Sequence, residues 1–179
     1  MDTYGKLINP QTVVFERLLP GPIERVFEYL WDENKRKLWF TSGAMPTTAG
    51  TRFTMRWKHS ELSPNQSTPP ERMKEMDEKG HSDSMTLLAY EPPTRLAFTF
   101  GESKGSDAPE VEFLLKPEGD KVRLTLTHSK VPDRAYALGV SGGWHAHLDV
   151  LEYRIRNETP PGFWDIWRRH EGVYDKRYG

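Results

Sequence analysis

The chain of 179 residues carries 25 Lys and Arg against 26 Asp and Glu, a net charge of −1, so no basic excess exists to hold nucleic acid or an anionic membrane. It contains no cysteine, which excludes disulfides, thiol catalysis and cysteine-based zinc sites. Its apolar runs are strand-length and its first six residues lack a basic stretch before an apolar run, so no membrane span or secretory signal is expected and the cytoplasm is the expected location.

Residues 13–19 are β-branched and apolar and stop at Pro20-Gly21-Pro22, which predicts a first strand. Pro22 suits the first position of a helix, and Ile23, Val26, Phe27 and Leu30 then form one apolar helical face. Asp32 is placed to cap a second short helix, closed by Leu38, Trp39 and Phe40 before Ser42-Gly43. From about residue 50 the period becomes two, and Phe53, Met55 and Trp57 alternate with Arg52, Thr54, Arg56 and Lys58 in a half-buried strand. Residues 58–80 break that pattern with Pro64, Pro69 and Pro70. They hold the charged run 71–79, a helical turn or two on an insertion that reads as a lid, an arm or a loop.

Strands resume over residues 82–91 and end at Pro92-Pro93. Leu96, Phe98 and Phe100 alternate in the next strand, residues 101–109 form a loop, and Val111, Phe113 and Leu115 alternate after it. Pro117-Glu118-Gly119-Asp120 is a hairpin turn, beyond which Val122, Leu124, Leu126 and His128 share one face. Short strands joined by turns predict an antiparallel meander. Trp144, Leu148, Leu151 and Ile155 fall at i, i+4, i+7 and i+11, predicting a long helix that Gly142-Gly143 precede and Pro160-Pro161-Gly162 end. The serine among the glycines of residues 139–143 lacks the context of a catalytic nucleophile, so this stretch is read as a flexible helix start. In the tail, Phe163, Ile166, Trp167 and Tyr174 recur at helical spacing and must be covered by the same domain or by a second subunit. Residues 1–179 are expected to form one α+β domain, with its core at 10–157, an insertion at 58–80 and an aromatic helical extension at 158–179.

Several stretches in combination resemble the START-like (SRPBCC) superfamily, and within it the bacterial branch of heat-shock-protein-90 ATPase activator homologues. They are Phe15-Glu16-Arg17 before Pro22-Ile23-Glu24-Arg25-Val26-Phe27, the segment ending in Trp39-Phe40, and residues 90–100. Leu124-Thr125-Leu126-Thr127-His128 and Gly142-Gly143-Trp144 with Leu148 and Leu151 complete the set. The tail is similar to an extension in some bacterial members, whereas the proline-rich insertion departs from the pattern. The resemblance implies a helix-grip (Bet v I-type) fold, in which a curved antiparallel sheet wraps a long C-terminal helix and two short helices follow the first strand. It implies a cavity between sheet and helix and little about chemistry, because the fold hosts carriers, receptors, cyclases and chaperone regulators.

A candidate lining follows from phase and resemblance together: Phe53, Met55, Trp57, Phe98, Phe100, Phe113, His128, Trp144, His147, Leu148 and Leu151. The same aromatics also suit a filled core, and both readings stay open. On a helix His145 and His147 point roughly 200° apart and cannot share one ion, so no metal and no cofactor is expected. His128 is expected to be a hydrogen-bonded strand-end residue, with a general base as the alternative. Arg17, in phase with Phe15 and Leu19, would pair with a carboxylate such as Glu112 or with an anionic ligand if it pointed inward. A surface ion pair is expected for both Arg17 and Arg56. The leading function is binding of a small apolar or aromatic molecule without catalysis. The alternatives are a chaperone-linked or stress-response interaction module, motivated by the insertion and tail, and an enzyme using His128, His147 and Arg17. A homodimer through the tail or insertion is a further candidate assembly.

Overall fold

The computed structural model describes residues 1–101 and 107–179, so part of the loop expected over 101–109 lies outside the described residues. Seven strands form one antiparallel sheet: β1 (Lys6–Asn9), β2 (Thr12–Pro20), β3 (Arg52–Trp57), β4 (His81–Glu91), β5 (Arg95–Thr99), β6 (Glu110–Glu118) and β7 (Lys121–Ser129). Their spatial order is β1-β2-β7-β6-β5-β4-β3. Consecutive strands are neighbours except that β2 pairs with the last strand, β7, and not with β3, which brings the two ends of the chain together. The short β1 has no counterpart in the sequence reading, because it is four residues long and mostly exposed.

Alternation fixes the inner face. On β2, Val13, Phe15, Arg17 and Leu19 are fully buried, and the residues between them are not. Phe15 lies opposite Leu126, which lies opposite Phe113, which lies opposite Leu96, so one apolar row crosses four strands. At the other edge Phe53, Met55 and Trp57 of β3 face Met85, Asp83 and His81 of β4.

Between β2 and β3 stand α1 (Ile23–Trp31) and α2 (Glu33–Arg36), the second capped by the Asp32 side chain accepting from the Lys35 N–H. Arg36 is buried and donates to Trp31 O, Thr41 Oγ1 and Gly43 O, which folds the following loop so that Trp39 and Phe40 turn inward. The insertion contains two single 3₁₀ turns and α3 (Lys74–Lys79).

The long helix α4 (Arg134–Ile155) begins well before Gly142-Gly143, contrary to the expected start. Asp133 caps it by accepting from the Tyr136 N–H at 2.8 Å, and packing against the sheet holds the glycines inside the helix despite their low propensity. The tail forms α5 (Phe163–His170) and α6 (Val173–Arg177), which fold back on α4 of the same chain and bury Phe163, Trp164, Ile166 and Tyr174.

Arg17 is the main departure from the sequence reading. It is fully buried and pairs not with Glu112 but with Asp149 at 3.1 Å and Glu152 at 2.8 Å on α4. Glu112 instead pairs with Arg95 at 2.7 Å. Arg56 keeps its surface pair, to Glu61 at 3.8 Å. The difference for Arg17 arises because its phase on β2 points it under the helix, where two carboxylates one turn apart supply the countercharge. Removing the guanidinium leaves those carboxylates facing a void in the core. Arg17→Ala is therefore expected to lower the unfolding free energy by about 3 kcal/mol, read as a fall in the urea midpoint at neutral pH. A shift indistinguishable from that of a surface variant such as Arg56→Ala would contradict this account.

Candidate functional site

The sheet and α4 do not meet evenly along the helix. In its C-terminal half Leu148, Leu151 and Ile155 are buried and fill the space over the sheet. In its N-terminal half the facing positions are Gly139, Val140 and Gly143, and a cavity of about 280 Å³ opens there. A Cβ added at Gly139 or at Gly143 would have no atom within 4 Å. These glycines are four apart, one turn of helix, and together form a floor made of backbone.

Four aromatic rings make the rest of the wall, Trp144 from α4 itself and Phe40, Trp57 and Phe100 from across the cavity. Phe40 lies 4.8 Å from Trp144 and 5.7 Å from Trp57, while Phe100 lies 5.8 Å from each of Trp57 and Trp144. Met73 and Met76 from the insertion close one side. That side is tied to the tail. Ser63 Oγ donates to Pro160 O at 2.7 Å, the Trp164 N–H donates to Ser67 Oγ at 3.0 Å, and Arg72 lies over the Trp167 ring at 5.4 Å.

Of the residues singled out from the sequence, Trp57, Phe100, Trp144 and His147 line this cavity. Phe53, Met55, Phe98, Phe113, Leu148 and Leu151 are buried in the packed interior beside it, and His128 lies behind Trp144. His128 is hydrogen-bonded, its Nδ1 accepting from Trp144 Nε1 at 3.0 Å, which fixes the indole's orientation. His147 Nδ1 meets the carbonyl of Trp39 at 2.8 Å, so it carries the proton and Nε2 is left as an acceptor. Burial pushes the His128 and His59 pKa values down to about 4 and that of His147 down to about 3, so all three rings are neutral at neutral pH.

Residues 20–155 match the family described as activator of Hsp90 ATPase homolog 1-like protein. The chain belongs to this family. The activator-homologue chain is similar to the protein encoded by gene BPP1335 of Bordetella parapertussis, with 41% identity and a TM-score of 0.81, covering 98% of this chain and 91% of that one. CalU16 from Micromonospora echinospora shares 21% identity at a TM-score of 0.65, over 97% of this chain and 94% of its own. Aha1 from Colwellia psychrerythraea, solved as a dimer, shares 13% identity at a TM-score of 0.58, over 80% of this chain and 95% of its own. At those last two identities the likeness is one of fold, the helix-grip arrangement expected from the sequence. No curated protein matches the chain.

The three polar groups weighed for catalysis do not converge in this activator homologue. His128 and His147 are engaged with Trp144 and Trp39, and Arg17 is held by Asp149 and Glu152. The nearest approach to a metal-ligand set among the described residues is His145, Asp149 and His170. The two imidazoles stack face to face with centroids 3.6 Å apart, so their in-plane lone pairs run parallel rather than meeting at one point. Asp149 already carries the Arg17 guanidinium. This set does not suit a cation as it stands. His145 and His147 do diverge, the first toward Tyr174 and the second toward Trp39.

The sequence reading missed the glycine floor, Phe40 and the methionines, and also Asp83, which lines the cavity. A signal for Asp83 was present: it is in phase with Met85 and Leu87, both buried. The neutral histidines make stability depend on pH. Their folded pKa values lie below the unfolded value of about 6.5, so in that interval the unfolded chain binds protons the folded chain refuses. Their contribution is complete above about pH 6.5 and is lost progressively as pH falls toward about 4. Urea unfolding at a series of pH values should show this decline. His128→Gln should make it shallower by up to about 1.4 kcal/mol per pH unit; an unchanged slope would mean that His128 is not held neutral.

Proposed function

We propose that this protein binds one small, flat, apolar molecule in the cavity between α4 and the aromatic wall, and that it does so without catalysing a reaction on it. The observation that carries the reading is the glycine floor. Each glycine inside a helix costs about 1 kcal/mol relative to alanine, yet both positions have room for a side chain. Larger residues there would stabilise the helix and fill the hollow, so the two glycines make sense as the means of keeping it open. The walls are rings and thioethers that suit a planar hydrophobic guest, and such surfaces adapt to shape.

Two alternatives weaken on the same observations. The interaction-module reading and the homodimer both drew on an exposed aromatic tail, but Phe163, Trp164, Ile166 and Tyr174 are buried within their own chain. The charged run of the insertion remains available to a partner, and the family description points to ATPase activation as the property to look for. An enzyme would need converging polar groups, and the three candidates are dispersed.

The test uses tryptophan fluorescence, because Trp57 and Trp144 line the cavity. Titration with 1-naphthalenemethanol, a neutral planar probe, is expected to quench the wild-type protein in a saturable manner. Gly143→Leu is expected to weaken that binding by about tenfold or more, while raising the unfolding free energy by roughly 1 kcal/mol. A variant that binds the probe as well as the wild type, or a wild-type protein that binds none, would overturn the reading.

A further inference from the structure

Asp83 is placed on the inner face by strand register. It lies opposite Met55, a fully buried residue, and it shares its phase with Met85 and Leu87. Its side chain forms part of the cavity wall. One carboxylate oxygen, Oδ1, accepts from the Ser84 N–H at 2.8 Å. The other, Oδ2, lies beside Gly101, whose added Cβ would sit only 3.0 Å from it. The backbone at Gly101 has φ +90°, a conformation that favours glycine.

Among the described residues no Lys or Arg lines the cavity, and Asp83 has no ion-pair partner. The other titratable residues lining the cavity among the described residues are His59, His147 and His81; burial holds the first two neutral, and His81 stands exposed at the rim. The negative charge is felt inside the fold. Burial and the Asp83 carboxylate together push the Tyr136 hydroxyl up to about 12. A carboxylate with no cationic partner among the described residues thus stands in the wall of a pocket whose other surfaces are mostly aromatic faces.

From this geometry we infer that the guest is a cation, a flat apolar molecule bearing a protonated amine that donates to Asp83 while its body lies against Trp57, Phe100 and Trp144. The inference rests on the cavity reading above and names the ligand class for it. The argument is one of desolvation. A guest that fills the cavity strips water from Asp83, and a neutral guest leaves that carboxylate uncompensated, whereas an anion adds repulsion. An ammonium restores a charged hydrogen bond, and the electron-rich ring faces attract it as well. The free Oδ2 calls for an N–H donor, which favours a primary amine over a quaternary one.

The experiment compares three probes that share one ring system: 1-naphthylmethylamine, 1-naphthalenemethanol and 1-naphthoate. Each is titrated near neutral pH against the wild-type protein and against Asp83→Asn by tryptophan fluorescence. The wild-type protein is expected to bind the amine about tenfold more tightly than the alcohol, and the naphthoate more weakly than either. Asp83→Asn is expected to abolish the amine's advantage, bringing amine and alcohol to within about twofold of each other. The wild-type ranking needs no variant, so it decides the matter even if Asp83→Asn folds poorly. Equal or tighter binding of the alcohol or the naphthoate would overturn the inference, as would a preference for the amine that survives in Asp83→Asn. If the alcohol binds, and loses affinity in Gly143→Leu, while the amine gains nothing over it, the cavity reading stands and the cation falls. If no probe binds, both fall.

Discussion

The guanidinium of Arg17 is the point on which the two layers of the fold are registered. It has no solvent exposure, and its countercharges, Asp149 and Glu152, both stand on α4. A buried charge tolerates little displacement of its partners, because the cost of separating them rises steeply in a medium of low polarity. The position of α4 along and over the sheet is therefore set near residues 149–152. His145 and His170 belong to the same cluster: the former approaches Asp149 Oδ1 at 3.6 Å and the latter Asp149 Oδ2 at 3.0 Å. Tyr174 completes it by accepting from the Gly5 N–H at 3.0 Å and meeting His145 Nδ1 at 2.8 Å. The first residues, β2, the long helix and the tail are thus joined at one polar knot.

Fixing the helix there decides what its other half can do. C-terminal to Trp144, leucine and isoleucine close the distance to the sheet. N-terminal to it, the helix keeps its line but has glycine at the facing positions, and the space is left open. Trp144 stands at the border, with its indole N–H held by His128 and its ring beside Phe40. The insertion covers the opening with Met73 and Met76, and its attachment to residues 160–167 makes the wall of the cavity a joint product of two segments far apart in the chain. At Gly162 that attachment is tight enough to exclude a side chain, since an added Cβ would lie 2.5 Å from the Ser67 side chain.

The alternating strands, the two short helices and the apolar stripe of α4 were legible in the sequence because period and turn chemistry are local properties. Which part of the interior is hollow was not. Phe98 and Trp57 are both inward-facing aromatics on the sheet, yet Trp57 lines the cavity and Phe98 packs against Phe53 and Phe113, a difference that depends on long-range placement and not on local period. Taking the glycines as a break before the helix removed them from the cavity from the outset. For Arg17 the phase pointed inward, and the general rule that charges lie outside prevailed over it; the two acidic residues one turn apart on the helix were the local sign that it should not. Asp83 was passed over for a similar reason, as a polar residue near the start of a strand, although Met85, Leu87 and Ala89, in phase with it, are buried.

A site whose floor is bare main chain has an evolutionary consequence. At Gly139 and Gly143 almost any substitution other than proline strengthens the helix, and the added side chain has open space to enter. Random change at these two codons runs toward a more robust and solid molecule. On the ligand-binding reading proposed above, usefulness of the void is what opposes that drift, and a lineage relieved of the need for it would seal it with no loss of fold to betray the event.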